Sequence, residues 1–299
     1  MSNIQRSFII GDEWLYYKIY TGPKTSDLVL TNIIKPVTNT LLKNKSIDAW
    51  FFIRYSDPKP HIRVRFHYTE PAHIADIINT LYNPIKEYID EDLIWKVQID
   101  TYQREIERYG ERTIEQSEAL FFYDSKMIID FLDMVEGDEG EELRWLFGIR
   151  AIDTLLNDFG YDEDGKLKVL EGLKSGFGEE FGMNKFLKKQ LDKKFRDEKE
   201  KINEFLAFKR EDNPDYAPIL DVLEEKSKES KIAIKSIVSI MTVGPELDRL
   251  MGSYIHMLMN RLFRSKNRLH EMVLYDLLYR TYKVAWGIRK FKKREQSSR

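Results

Sequence analysis

The sequence predicts an α+β protein, with a small mixed or antiparallel sheet in the N-terminal third packed against a mainly helical C-terminal half. Two observations carry this. Up to about residue 110 the apolar residues fall in short alternating or aromatic runs bounded by proline and glycine, which is the period of strands. From Thr113 onward the spacing becomes that of helices. No internal repeat or long linker appears, so residues 1–299 read as a single domain, sheet-containing over 1–110 and helical over 111–299.

Trp14 to Tyr20 is aromatic and β-branched, and Gly22-Pro23 ends it. Thr25 to Lys45 carries leucine and isoleucine at helical spacing. Asp48 to Tyr55 is a second strand. The Pro58-Lys59-Pro60 turn stops it, because proline cannot donate to a ladder. Ile62 to Phe66 alternates, and Leu93 to Thr101 is a further strand. Between these two, Ala72 to Ile89 fits a helix that Pro84 would kink or break. Thr113 and Gln116 have the spacing of a capping box for a helix to about Val135. Gly137-Asp138-Glu139-Gly140 predicts a break, and Glu141 to Asp158 a helix. Gly160 to Gly182, with Ser175-Gly176-Phe177-Gly178, reads as irregular. Lys185 to Lys231 mixes 13 basic with 12 acidic residues, which suits one or two helices with a solvated face. Pro245 is well placed to open a helix to about Phe263. A last helix is predicted from Asn267 to Arg289.

Composition narrows the chemistry. The absence of cysteine among 299 residues excludes thiol nucleophiles, disulfides and cysteine-ligated metals. The five histidines have no metal-ligand spacing, and no phosphate-binding glycine motif occurs. Forty-eight basic against 50 acidic residues argue against a general nucleic-acid surface. No apolar stretch reaches membrane-spanning length, and the N-terminus lacks a secretion signal, so the expected location is the cytoplasm.

The most informative run is His61-Ile62-Arg63-Val64-Arg65-Phe66-His67. In a strand, Ile62, Val64 and Phe66 share one face, directed to a core, and the two arginines share the other, roughly 7 Å apart. They repel unless an anion lies near, and guanidinium groups clasp carboxylates well. Taken alone, the pattern also fits a solvated strand face with surface ion pairs. Tyr102-Gln103-Arg104-Glu105-Ile106-Glu107-Arg108-Tyr109-Gly110 follows the last strand, where active-site groups often sit. There Glu105 and Arg108 are neighbours on a helical turn. His256 lies in an otherwise apolar helix. Such a histidine is commonly a bonded core residue, but it can also move protons.

Joined in order, these segments resemble a known family. The set is Trp14-Leu15-Tyr16-Tyr17, Trp50-Phe51-Phe52-Ile53-Arg54-Tyr55, His61 to Phe66, Asp100-Thr101-Tyr102 with Arg104 to Gly110, Asp124-Ser125, and His256-Met257 with Asn260-Arg261-Leu262. From about residue 5 to 290 the chain resembles the C-terminal elimination domain of class I lanthipeptide dehydratases, also described as the thiopeptide-type bacteriocin biosynthesis domain. In that family a serine or threonine of a precursor peptide is glutamylated from glutamyl-tRNA. The elimination domain then expels glutamate, leaving dehydroalanine or dehydrobutyrine. The resemblance implies Arg63, Arg65, Arg108 and His256 as elimination residues with Glu105 in support. It implies Tyr102, Arg104 and Asn260 at the substrate, and no metal or cofactor. It also implies a free-standing module that takes its glutamylated peptide from a separate glutamyl-tRNA-dependent protein, has no direct tRNA requirement of its own, and allows a homodimer. Two other readings stay open: the [4+2] joining of dehydroalanines into a pyridine, as in thiopeptide relatives, and a non-catalytic leader-binding or scaffold role.

Overall fold

The computed structural model describes residues 4–135, 137–241 and 244–297. A short strand β1 (Ser7–Phe8) precedes β2 (Trp14–Thr21). A helical segment follows, made of α1 (Thr25–Val29), a π-helical turn (Leu30–Ile34) and α2 (Lys35–Lys43). Next come β3 (Ala49–Tyr55), β4 (His61–His67), α3 (His73–Asp90), β5 (Ile94–Asp100), β6 (Tyr102–Gln103) and the one-turn helix α4 (Ile106–Tyr109). The rest is helical: α5 (Ile114–Leu132), α6 (Gly137–Asp158), α7 (Glu163–Glu180), α8 (Lys185–Ala207), α9 (Ala217–Ile240), α10 (Pro245–Leu262) and α11 (Asn267–Ser297). No described helix is long and apolar enough to cross a membrane.

The main sheet is antiparallel, in the order β3-β4-β2-β5, and β1 pairs with β6 beside it. One face carries Ile62, Val64 and Phe66 between Leu15, Tyr17 and Ile19 of β2 and Trp50 and Phe52 of β3. These join one buried cluster with Val37 and Leu41 of α2 and Ile77, Leu81 and Ile85 of α3. Arg54 lies on the same face, bonded to Ser26 and Asp27.

The opposite face is covered too. His61 and Arg65 are only 3% and 6% exposed. Tyr102 and Phe121 lie over Phe51 on this face. A solvated strand face with surface ion pairs is therefore not what this sequence builds. Alternation within β4 identified which residues share a face, but not that a second layer would cover it.

Several helix boundaries depart from expectation for identifiable reasons. α3 runs unbroken through Pro84. Burial of Leu81 and Ile85 on either side offsets the ~3 kcal/mol such a proline costs. The Thr113 hydroxyl does not cap α5. It donates to the Tyr109 carbonyl at the end of α4. α6 begins at Gly137, inside the expected break. The region expected to be irregular is mostly α7. Asp162 caps it by accepting the Gly165 amide at 2.8 Å. Its stops are Gly160 and Gly182, both at positive φ. The glycines within it are tolerated because Val169, Leu170 and Phe177 are buried on one side. Lys185 to Lys231 does form parts of two helices, α8 and α9. α11 extends past Arg289 to Ser297.

Candidate active site

Arg65 sits at the centre of the sheet, with Tyr16 and Phe51 as its register partners on β2 and β3. Tyr102 of β6 closes over it. Its guanidinium carbon lies 4.5, 5.0 and 4.8 Å from the ring centres of Tyr16, Phe51 and Tyr102. Aromatic faces attract a cation but accept few hydrogen bonds. The Nε and Nη1 atoms are buried and make no hydrogen bond to any described residue. Burial lowers the Arg65 pKa from its ordinary value, against the pull of Tyr102 and Tyr16. A buried charge without a polar partner is unfavourable by several kcal/mol. Arg65 borders a small hollow with Gln103, Glu105, Tyr109 and Met257. That hollow is about 10 Å³, room for a single oxygen atom of an anionic group.

The residues around this cation are held by a second arginine. Arg104 donates from Nε and Nη2 to the two oxygens of Glu118 at 2.8 and 2.7 Å. The Tyr102 hydroxyl donates to the same carboxylate at 2.6 Å. Burial first, then the Glu118 charge, raises the Tyr102 pKa well above its usual value, so the hydroxyl keeps its proton. Arg104, expected at the substrate, is therefore occupied by Glu118 and fixes the Tyr102 ring over Arg65. Asn260 is also engaged elsewhere. Its side chain accepts the Arg54 amide and donates to the Arg54 carbonyl, both at 2.9 Å. With Ser125, which accepts the Phe52 amide at 3.1 Å, it closes the outer edge of β3.

Arg63 is half-buried, over the Tyr55 ring at 3.5 Å, and its Nε donates to His61 Nε2 at 3.1 Å. It lies on the sheet face of Arg65 but does not border the hollow. Glu105 and Arg108 pair at 3.2 Å across the exposed turn of α4. Arg108 and His256 line one cleft of about 770 Å³ between α4, α7 and α10, with Lys168, Ser175, Arg249 and Ser253. Glu105 borders the Arg65 hollow and Arg108 the cleft, so their ion pair links the two. The structure thus brings Arg65, Tyr102 and Glu105 together, and Arg108 with His256, with the Glu105–Arg108 pair between the two groups.

His256 is 29% exposed, and its Nδ1 lies 3.0 Å from both oxygens of Glu271 on α11, a side chain with 0% exposure. Glu271 was not among the expected residues. The available signal was a lone carboxylate on a stripe otherwise made of Met272, Leu274, Tyr275 and Leu278. Glu118 gave a similar signal in α5. Among the described residues no group of histidines and carboxylates is arranged to hold a metal ion.

Three comparisons bear on this arrangement. The family model for the lantibiotic biosynthesis dehydratase C-terminus matches residues 14–282. Subtilin biosynthesis protein SpaB of Bacillus subtilis is 26% identical over 269 residues, covering 88% of this chain and 25% of its own length. The chain therefore spans about a quarter of that relative. The tRNA-dependent lantibiotic dehydratase MibB of Microbispora sp. 107891 superposes with a TM-score of 0.73 at 21% identity, over 94% of this chain and 29% of MibB. TbtD, the pyridine synthase from thiomuracin biosynthesis, superposes at 0.64 and 11% identity, over 93% of this chain and 100% of TbtD. At these identities the two superpositions establish the fold.

Proposed function

We propose that this chain, which belongs to the lantibiotic biosynthesis dehydratase C-terminal family, expels glutamate from glutamylated serine or threonine residues of a precursor peptide. The observation that carries the reading is the buried guanidinium of Arg65, with Nε and Nη1 unpartnered beside a small hollow. β-Elimination breaks the Cα–H bond and the Cβ–O bond and forms a Cα=Cβ double bond. Charge develops on the adjacent carbonyl oxygen and then on the departing glutamate carboxylate. Fixed cations in a partly dry site stabilise both. In this reading Arg65 supplies the buried charge, Arg108 the charge at the rim, and Glu105 orients Arg108. Arg63 holds the positive potential of the sheet face, and His256 carries the proton. Tyr102 and Arg104 keep the aromatic walls around Arg65 in place. Nothing here requires a cofactor. The substrate is the peptide ester made by a glutamyl-tRNA-dependent protein, and this half of the reaction needs no tRNA.

The test is incubation of the protein with a chemically glutamylated peptide and mass spectrometry. The expected result is loss of the glutamyl group together with the elements of the original hydroxyl, giving dehydroalanine or dehydrobutyrine. Unchanged ester, or hydrolysis back to serine, would remove the reading. The likeness to TbtD over its whole length supports a second reading, the [4+2] joining of two dehydroalanines. A peptide already carrying dehydroalanines distinguishes it, since only that activity would yield a pyridine.

A further inference from the structure

The arrangement around His256 fixes which of its nitrogens carries the proton, and this deepens the elimination reading on which it rests. Glu271 lies within the apolar side of α11, with its side chain wholly buried. Its two oxygens are not equivalent. Oε2 accepts from Arg268 Nη1 at 3.1 Å and from the Tyr275 hydroxyl at 3.3 Å, as well as from His256. Oε1 has His256 Nδ1, at 3.0 Å, as its hydrogen-bond donor among the described residues. Arg268 is in turn held by Glu180 and lies 4.1 Å from the centre of the Phe177 ring. The carboxylate therefore cannot turn away without abandoning an arginine and a tyrosine.

A carboxylate only accepts hydrogen bonds, so the neutral imidazole facing it must carry its proton on Nδ1. Nε2 is then the ring's lone-pair nitrogen. It has no hydrogen-bond partner among the described residues, and the ring lines the cleft shared with Arg108. We propose that Glu271 is a positioning residue that locks this tautomer, so that His256 enters the reaction as the acceptor of the peptide α-proton and not as a donor to the leaving group. The balance is complete between the substrate and His256. The Cα–H electrons form the double bond, the Cβ–O electrons leave with glutamate as a carboxylate, and the proton resides on Nε2 until solvent takes it. Once protonated, the imidazolium faces Glu271 on one side and the departing anion on the other.

The substitution Glu271→Gln separates this role from simple packing. The amide keeps the size of the carboxylate but has one acceptor. Arg268 and Tyr275 hold that oxygen at the Oε2 position, which turns the amide NH₂ toward His256 Nδ1. That NH₂, at the Oε1 position 3.0 Å from Nδ1, competes there with the remaining oxygen and favours a ring that accepts at Nδ1 and carries its proton on Nε2, where it can no longer take one. With ¹⁵N-histidine labelling, and His256 assigned by loss of its signals in His256→Gln, the neutral parent should show protonated Nδ1 and bare Nε2. Glu271→Gln should show the reverse. Its kcat for elimination from a glutamylated peptide should fall on the order of 10²–10⁴-fold, with KM changed little. A parent ring protonated on Nε2 would overturn the proposal, as would a Glu271→Gln protein with the reversed tautomer and unchanged kcat. If Glu271→Gln does not fold, the parent tautomer alone decides. A parent with the expected tautomer, reversed in the variant, that eliminates nothing keeps Glu271 as the tautomer lock and removes the elimination reading instead.

Discussion

At the scale of single residues, the chain spends stability on Arg65. A cation enclosed by three rings and short of polar partners is a poor way to fill a core and a good way to hold an anion. Arg65→Met keeps an unbranched side chain of comparable reach and removes the charge. It should leave stability in urea unchanged or raise it, while elimination falls roughly 10²–10³-fold. A large loss of stability would instead make the cation a structural clamp. His67 makes a different, pH-dependent contribution. Burial disfavours its charged form, but the hydrogen bond and charge of Asp48 outweigh that, so its pKa is raised, and Asp48 is lowered chiefly by the same hydrogen bond. A raised histidine stabilises fully below its unfolded value, about 6.5, and fades as pH rises through its folded value. A lowered aspartate stabilises above its unfolded value, about 3.9, and fades as pH falls through its folded value. Asp48→Asn should therefore lower Tm more at pH 5.5 than at pH 8.5. Equal losses at both would mean that the pair carries no charge-dependent stability. Arg65 and His256 were legible as candidates from residue type and position. Glu118, which holds Arg104 and Tyr102, and Glu271, which faces His256, were not, because each belongs to a helix whose approach no local spacing records.

At the scale of elements, the strands were legible because alternation and proline-bounded runs are strong signals, and β2 to β5 fall within a residue or two of expectation. α7 was not. Its glycines argue against a helix residue by residue, and only burial of Val169, Leu170 and Phe177 by neighbouring helices reverses that preference. Gly176 lies inside α7 with open space where a Cβ would stand. Gly176→Ala should therefore stabilise the protein by about 0.5–1 kcal/mol in denaturant unfolding, and a destabilised variant would show that the helix needs the glycine. The closure of β3 is the opposite case, a local feature built by distant chain. Asn260→Ala strips both hydrogen bonds from the Arg54 backbone. The expected cost is about 2 kcal/mol, from backbone groups left unpaired beside buried neighbours. A cost under about 0.5 kcal/mol would mean that water replaces the amide fully.

At the scale of the whole molecule, the sheet is covered on both faces around β3 and β4 while the edge strand β5 stays exposed at Trp95 and Ile99, and the candidate site lies where the covered part meets α4 and α10. The C-terminal end is basic, and Lys283, Arg289, Lys290 and Lys292 line neither the hollow nor the cleft. Lys292 ends the described side chains of α11, and Lys293, Arg294, Glu295 and Arg299 lie outside them. Cations there can attract phosphates through counterion release, but the chemistry proposed above uses only the glutamylated peptide. Deleting residues 292–299 should leave elimination from a preformed glutamyl ester within about twofold of the parent, a change inside the noise of context-dependent effects. A tenfold loss would tie the tail to the peptide.

The clasp on β3 also has a consequence for how the protein is made. Arg54 and Asn260 are 206 residues apart, so during synthesis the strand leaves the ribosome long before its cover does. At about 5–20 residues per second, the β3 edge waits on the order of 10–40 seconds for α10. Until Ser125 and then Asn260 arrive, its outer edge carries unpaired backbone groups, open to pairing with a neighbouring chain. Yield of native protein from a crowded translation system should therefore depend on how quickly the final fifty residues follow, and on whether a chaperone shields β3 until they do.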